Sequence, residues 1–343
     1  MKQLMLAAQF KAPGQLGLVR LPRPEIRKDS EALIRVEAAG ICGTDLQILK
    51  QPPGHPAGPG VILGHEFVGT VEKTGLAGSP VKNGDRVVID PNISCGVCPA
   101  CRNGRPNACP EMTTLGIFID GGFAPYAVAP VSSLHKISAD VPVERAVLAE
   151  PLSCILNAYR KVEHQPGEAV VILGAGPIGI MFALLFTAGG AGRVVLTDIS
   201  SSRLETARRI CPSAAVVDPA AADPAGFLAG GSGLPGADIV VDAAGCLFAE
   251  AVRICRPGGS ILLFGQDKTA CAGITQNDIT RRELKVIGSY IACHTFSAAV
   301  RLLESGLLPL EKMITHRVPL AEIEKGFAVL QEGEALKVLV DIR

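Results

Sequence analysis

Val170-Val171-Ile172-Leu173-Gly174-Ala175-Gly176-Pro177-Ile178-Gly179 decides the fold of half this chain. An apolar run of four residues leads into G-x-G-x-x-G, and an apolar run with helical character follows. The glycines allow a tight turn and let backbone N–H groups approach a pyrophosphate, and the helix N-terminus adds a favourable dipole. In a strand–turn–helix context this motif is specific, and it predicts a dinucleotide site at Gly174, Gly176, Pro177, Ile178 and Gly179.

Working outward, Val194 to Leu196, Ile239 to Val241 and Ile261 to Phe264 are short, fully apolar runs. Helical patterns at Arg203 to Ile210 and Phe248 to Cys255 lie between them. The alternation predicts βαβ units and a parallel sheet that ends near Ser289 to Cys293. The second run reaches Asp198, roughly twenty residues past the glycines, where an acid receives the ribose 2′-hydroxyl. A carboxylate there repels a 2′-phosphate, so NAD is expected rather than NADP. Arg203 could serve a phosphate, or pack on the adenine while Asp198 selects NAD. The Ala/Gly/Pro-rich stretch from Asp218 to Gly236 reads as a surface excursion.

Ala169 to Gly192 carries no charge over 24 residues, long enough to span a bilayer. Turn residues inside it favour a buried strand–turn–helix, so no membrane partner is expected.

The chain has 343 residues, enough for two domains with separate cores, and 48% are hydrophobic, which suits a buried parallel sheet. Lys plus Arg equals Asp plus Glu at 33 each, leaving no basic footprint for nucleic acid. Eleven cysteines in a chain this large do not indicate a disulfide scaffold. No signal peptide is read at the start, so the expected setting is a reducing cytoplasm with metal-bound thiolates.

The first 150 or so residues are rich in Gly, Pro and short β-like runs such as Ala32 to Val36 and Arg86 to Ile89. They predict an irregular, mostly β domain. Within it, Cys95, Cys98, Cys101 and Cys109 are spaced C-x2-C-x2-C-x7-C. Four thiolates in one loop can close a tetrahedral zinc site with no open position. An iron–sulfur run is the rival, but its last interval is three residues and its clusters come in pairs. Cys154, Cys211, Cys246, Cys255, Cys271 and Cys293 lie in apolar stretches and are expected to fill the core.

A second metal site is expected from Cys42, His65 and Glu66. Three protein ligands and one open position make a catalytic zinc pattern. Glu150, where the first domain hands over to the second, lies in the expected interdomain cleft and can reach the metal directly or through water. Thr44 follows Cys42 by two residues. In an extended segment the two share a face, which would set the Thr44 hydroxyl beside a zinc-bound oxygen as a proton carrier.

With these pieces in order, the chain resembles the medium-chain zinc-dependent alcohol dehydrogenases over essentially its full length. The resemblance rests on Gly40 to Asp45, Gly64 to Gly69, Asn83 to Val87, the four-cysteine lobe, Asp120 to Ala124, Glu150-Pro151-Leu152 and the glycine turn. It implies an α/β fold: a Rossmann parallel-sheet cofactor domain at 155–290 and an irregular, mostly β, GroES-like catalytic domain at 1–154 and 291–343. It implies one catalytic and one structural zinc, with Cys42, His65 and Glu66 at the catalytic ion, Glu150 nearby and Thr44 as relay. It implies NAD contacts from Ile178, Asp198 and Arg203. Phe264-Gly265-Gln266 and Ser289-Tyr290-Ile291 would lie near the nicotinamide. A homo-oligomer, tetramer or dimer, also follows from it.

Within the family the chain looks most like the polyol (sorbitol) and threonine dehydrogenase branch. Glu150-Pro151-Leu152-Ser153 resembles the polyol side. Gln47 stands where the threonine enzymes carry a relay His, and His55 sits in a nearby Pro/Gly loop. The expected reaction is reversible oxidation of a secondary alcohol on a polyol, cyclitol or sugar derivative. The alternatives are a threonine 3-dehydrogenase-like amino-alcohol dehydrogenase and a non-catalytic NAD-binding scaffold.

Overall fold

The computed structural model describes residues 3–228 and 235–342. It divides into two compact units, one of residues 1–153, 292–306 and 310–343, the other of residues 154–291 and 307–309.

The second unit holds six strands in the order Ala215–Val217, Arg193–Thr197, Ala169–Leu173, Ala237–Asp242, Cys255–Leu263 and Lys285–Gly288. All neighbours run parallel. This is the 3-2-1-4-5-6 order of a dinucleotide-binding sheet, in which ligands lie beyond the carboxyl ends at the switch between the first and fourth strands. Strand Ala169–Leu173 is buried along its whole length, as parallel strands covered on both faces must be. The helix Pro177–Ala188 is apolar around its whole circumference, and residues 179 to 186 are buried. Strand, turn and helix together account for the uncharged run, and among the described residues no helix is long and apolar enough to cross a membrane. The expected surface excursion contains a 3-10 turn at Pro224–Leu228, and its residues 229–234 lie outside the described residues.

In the first unit a mixed sheet runs Ile314–Pro319, Lys337–Asp341, Glu31–Ile41, Glu66–Thr74, Arg86–Ile89 and Leu134–Lys136, with Tyr126–Pro130 also paired to Glu31–Ile41. Ile34, Ile41, Ile48, Leu63, Phe123 and Ile323 are among its buried core side chains. The strand expected at Ala32 to Val36 continues to Ile41. Ala38, Ala39 and Gly40 are weak strand formers, but they pair with Glu66–Val68 on one side and Leu339–Asp341 on the other. Tertiary pairing overrides local preference. The extension carries the chain directly to Cys42.

Two expectations need correction. Thr44 is not in an extended segment: the strand stops at Ile41 and Gly43–Ile48 is a helix with Cys42 at its N-cap. Positions two apart do not share a helix face, so the argument that put the Thr44 hydroxyl beside Cys42 does not apply. Cys246 and Cys271 are not core fillers. Both are exposed, whereas Cys154, Cys211, Cys255 and Cys293 are buried. Cys246 sits in the turn after strand Ala237–Asp242 and Cys271 between Leu263 and the helix Gln276–Thr280, both outside the packed elements.

Candidate metal centre and cofactor turn

The short helix Gly43–Ile48 exists because its first turn is capped reciprocally. The Cys42 sulfur accepts from the Thr44 N–H at 3.5 Å, and the Cys42 N–H donates to Asp45 Oδ2 at 2.9 Å. Asp45 is fully buried, and its other oxygen lies 3.5 Å from His65 Nδ1. His65 directly precedes strand Glu66–Thr74, and Glu66 opens it in a register that sets it opposite Gly40. One ligand atom each from Cys42, His65 and Glu66 fall within 4.8 Å of one another.

Lys337 opens the final strand and is 4% exposed, yet charged, and its Nζ pairs with Glu66 Oε2. Space for this pair depends on Gly40: a Cβ there would stand 2.5 Å from Glu66 Oε2 and 3.2 Å from Lys337 Cε. Glu66 Oε1 is buried without a hydrogen-bond partner, and His65 Nδ1 and Asp45 Oδ1 have no hydrogen bond and only each other as ion-pair partners, at 3.5 Å. Polar atoms in that state cost free energy unless something occupies the space between them.

The electrostatics favour a cation. Burial works against protonation of His65, but the charges of Asp45 and Cys42 outweigh it and hold the imidazole pKa well above its ordinary value. Burial likewise opposes the charge on Lys337, and Glu66, Cys42 and Glu150 overcome it. A thiolate, an imidazole and a carboxylate fit zinc. Glu150 is buried in the first turn of the helix Ala149–Tyr159 and is not part of the 4.8 Å cluster. Thr44 contributes a backbone N–H to the Cys42 sulfur.

The four cysteines form a second cluster, again with one atom each within 4.8 Å. The segment is less irregular than expected, with a turn of helix at Pro99–Arg102 and a 3-10 turn at Pro106–Ala108. Backbone N–H groups point at the sulfurs: Cys98 to Cys95 at 3.3 Å, Cys95 to Cys109 at 3.4 Å and Cys101 to Cys98 at 3.5 Å. Donation from Val97 and Cys98 pulls the Cys95 thiol down to about 6. A thiolate prepared this way suits a closed zinc site.

The glycine turn of the second unit is cut to shape. Gly174 has φ 108°, and a Cβ on Gly179 would stand 1.7 Å from the Gly174 carbonyl oxygen. A Cβ on Gly176 would meet nothing within 4 Å. Helix Pro177–Ala188 has no side-chain cap at Gly176, and Pro177 carries no N–H, so Ile178 and Gly179 present the first free donors. Asp198 Oδ2 accepts from the Ala175 N–H at 2.8 Å and Oδ1 from the Ser200 N–H at 2.9 Å, while Arg203 stands 3.7 Å away. The open space and uncapped donors fit a dinucleotide phosphate. Phe264 packs edge-on against Phe182. Gly265 and Gln266 crowd Gly245, and Tyr290 is 47% exposed.

Asp45, Lys337 and Asp242 were not singled out from the sequence. Asp242, at the end of the fourth strand, accepts from the N–H groups of Ala244, Gly245 and Leu247 and shapes that turn. An acid three residues after Cys42 is the signal that Asp45 offered; Lys337 offered none, because its pairing with Glu66 is made only by the fold.

Two family models match the chain: an alcohol dehydrogenase GroES-like domain over residues 28–139 and a zinc-binding dehydrogenase over residues 177–305. D-altritol 5-dehydrogenase of Agrobacterium fabrum is 35% identical over 330 residues, covering 93% of this chain and 94% of that one. Sorbitol dehydrogenase of Bombyx mori is 30% identical over 351 residues, covering 98% of each. A Sinorhizobium meliloti protein solved bound to NADP is 33% identical with a TM-score of 0.91, covering 99% of this chain and 100% of that one. The chain belongs to the zinc-dependent medium-chain alcohol dehydrogenase family.

Proposed function

We propose that this chain oxidises a secondary alcohol on a polyol or sugar derivative, reversibly, with NAD as hydride acceptor. The observation that carries the reading is the cluster of half-buried Cys42 with buried His65 and Glu66, where a Glu66 oxygen has no hydrogen-bond partner. Relatives that act on altritol and sorbitol support the substrate class.

Cys42, His65 and Glu66 would hold the catalytic ion, with Glu150 beside them. Bound there, zinc supplies Lewis acidity toward an alcohol or carbonyl oxygen. Asp45 orients His65, in the manner of carboxylates that hold metal-binding imidazoles. Lys337 neutralises Glu66 through Oε2, and a carboxylate oxygen of Glu66 lies within 4.8 Å of ligand atoms of Cys42 and His65. Thr44, in the helix that Cys42 caps, is the hydroxyl assigned to carry the proton from the substrate oxygen, a role that rests on the family resemblance. Cys95, Cys98, Cys101 and Cys109 would hold a structural zinc.

The turn Gly174 to Gly179 binds the pyrophosphate, and Asp198 faces the adenosine ribose with Arg203 beside it. Phe264 to Gln266 and Tyr290 serve the nicotinamide half. Asp198 supports NAD over NADP, because its carboxylate is pinned by two backbone N–H groups and cannot swing away from a 2′-phosphate. Cytoplasmic location and assembly as a dimer or tetramer belong to the same reading.

The test is reduction of NAD and NADP across a panel of polyols, sugar acids and threonine, with zinc-loaded and chelator-treated protein. Zinc-dependent NADH formation from a polyol is expected. Turnover on threonine alone, or a preference for NADP, would displace those parts of the reading.

A further inference from the structure

Ile291 has φ 39°, in the left-handed region. Of the four non-glycine residues with positive φ among the described residues (Glu163, Glu283, Ile291 and His294), it is the one with a branched Cβ. For such a side chain this conformation is an outlier, and it persists only where surrounding structure enforces it.

The enforcing group is visible. Asn157 on helix Ala149–Tyr159 is 1% exposed. Its Nδ2 donates to the Ile291 carbonyl at 2.6 Å and to the Tyr290 carbonyl at 3.3 Å. Its Oδ1 accepts from Arg160 at 3.1 Å, which fixes the amide's orientation. One turn further, Lys161 Nζ donates to the Gly288 carbonyl and Ser289 Oγ, each at 3.2 Å. Every residue from Gly288 to Ile291 is therefore tied to residues 157–161.

Their place gives the clamp its meaning. Strand Lys285–Gly288 is the sixth of the parallel sheet, and residues 289–291 emerge from its carboxyl end. Ligands of such sheets lie beyond those ends, and the three strands after the switch point serve the second mononucleotide. A planar trans peptide points its N–H opposite to its C=O. With the Tyr290 carbonyl drawn toward Asn157, the Ile291 N–H faces away from the helix.

We propose that Asn157 is a positioning residue of the cofactor site: its side-chain amide holds Ile291 in a strained conformation and so sets the backbone that receives the nicotinamide half of NAD. The inference rests on the dinucleotide reading given above. A clamp of this kind acts on the nicotinamide half and leaves the adenosine half, anchored at Gly174 to Asp198, alone.

The test compares NADH with ADP-ribose, which lacks the nicotinamide. Binding is measured by fluorescence and calorimetry for wild type, Asn157→Ala, Asn157→Ser, Ile291→Gly and Asn157→Ala/Ile291→Gly, with thermal melting of each. In Asn157→Ala, NADH binding should weaken about tenfold, the size of one or two neutral hydrogen bonds, with ADP-ribose binding unchanged. Asn157→Ser, which keeps one donor, should fall between and stands in where the alanine variant does not fold. In the Ile291→Gly background the same alanine substitution should cost less than about threefold, since glycine adopts positive φ without strain. Equal loss of NADH and ADP-ribose, no loss, or the same loss in both backgrounds overturns the proposal. Wild-type protein that binds neither NADH nor NADPH removes the dinucleotide reading itself, an outcome distinct from these.

Discussion

Asp45 serves two masters across one carboxylate: Oδ2 accepts from the Cys42 N–H at 2.9 Å and Oδ1 lies 3.5 Å from His65 Nδ1. The cap of a six-residue helix and the charge facing the imidazole just ahead of strand Glu66–Thr74 thus come from a single buried side chain. Asparagine can still accept the cap bond, but it brings no negative charge to His65. We expect Asp45→Asn to fold with near-wild-type melting, yet to lose metal from the buried cluster roughly 10- to 100-fold more readily, the usual cost of removing an outer partner of a metal-binding His. Asp45→Ala removes the cap as well and should lower stability by about 1 kcal/mol. Zinc retained after dialysis against a graded chelator, alongside thermal melts, checks both. Equal metal retention in Asp45→Asn and wild type would show that Asp45 only caps the helix.

How much of this was legible in the sequence depended on range. The glycine turn was readable because strand, turn and helix are contiguous and because Gly174, Gly176 and Gly179 each answer a local need. The four cysteines were readable for the same reason. Cys42, His65 and Glu66 stand further apart, and their grouping came from the order of motifs. Lys337 was not legible, because its pairing with Glu66 depends on the last strand lying against residues 38–41. The backbone at Thr44 was misread because Ala38 to Ile41 were not assigned to the strand, which hid that extended structure ends there and a capped helix begins.

Thiol reactivity should follow burial and backbone donation. With no metal on the four-cysteine lobe, the Cys95 thiol is drawn down to about 6 by N–H groups and is ionised at neutral pH. Burial pushes Cys211 up to about 12 and Cys255 up to about 11, which keeps both protonated. The thiolate is the nucleophile, so iodoacetamide at pH 7 should label Cys95 first in chelated protein and leave Cys211 and Cys255 unmodified until unfolding. Peptide mass mapping with and without chelator reads this directly. Labelling of Cys95 at the same rate in zinc-loaded protein would argue against metal in the lobe.

Asp90 gives a pH signature. Burial raises its pKa from 3.8 to about 6, partly offset by the Asn92 N–H that donates to Oδ1. A raised acid pKa means that the fold prefers the neutral form. The fold therefore binds the extra proton between these values, and stability from this group is full below about 3.8 and lost as pH rises through about 6. At about 1.4 kcal/mol per pKa unit the effect is roughly 1–3 kcal/mol. Asp90→Asn, which mimics the neutral form and keeps an acceptor for Asn92, should be more stable than wild type by that amount at pH 7. The gap should close at pH 4. Urea melts of both proteins across this range test the sign as well as the size.

The two glycines at the ends of Gly176-Pro177-Ile178-Gly179 separate folding from binding. A Cβ on Gly179 stands 1.7 Å from the Gly174 carbonyl oxygen, and backbone cannot move aside cheaply where strand and helix are packed. Gly179→Ala should therefore lower the melting temperature sharply and reduce soluble yield. A Cβ on Gly176 meets nothing within 4 Å, so Gly176→Ala should melt near wild type. The emptiness around Gly176 is where a pyrophosphate must approach the Ile178 and Gly179 N–H groups, and a methyl group there occupies it. NADH affinity of Gly176→Ala should fall by more than tenfold with the fold intact, a loss larger than about 1.4 kcal/mol. Calorimetric binding on protein with a verified melt decides it. Undiminished affinity in Gly176→Ala would move the phosphate site away from this turn, and a normal melt for Gly179→Ala would show that the strand and helix pack less tightly than the geometry requires.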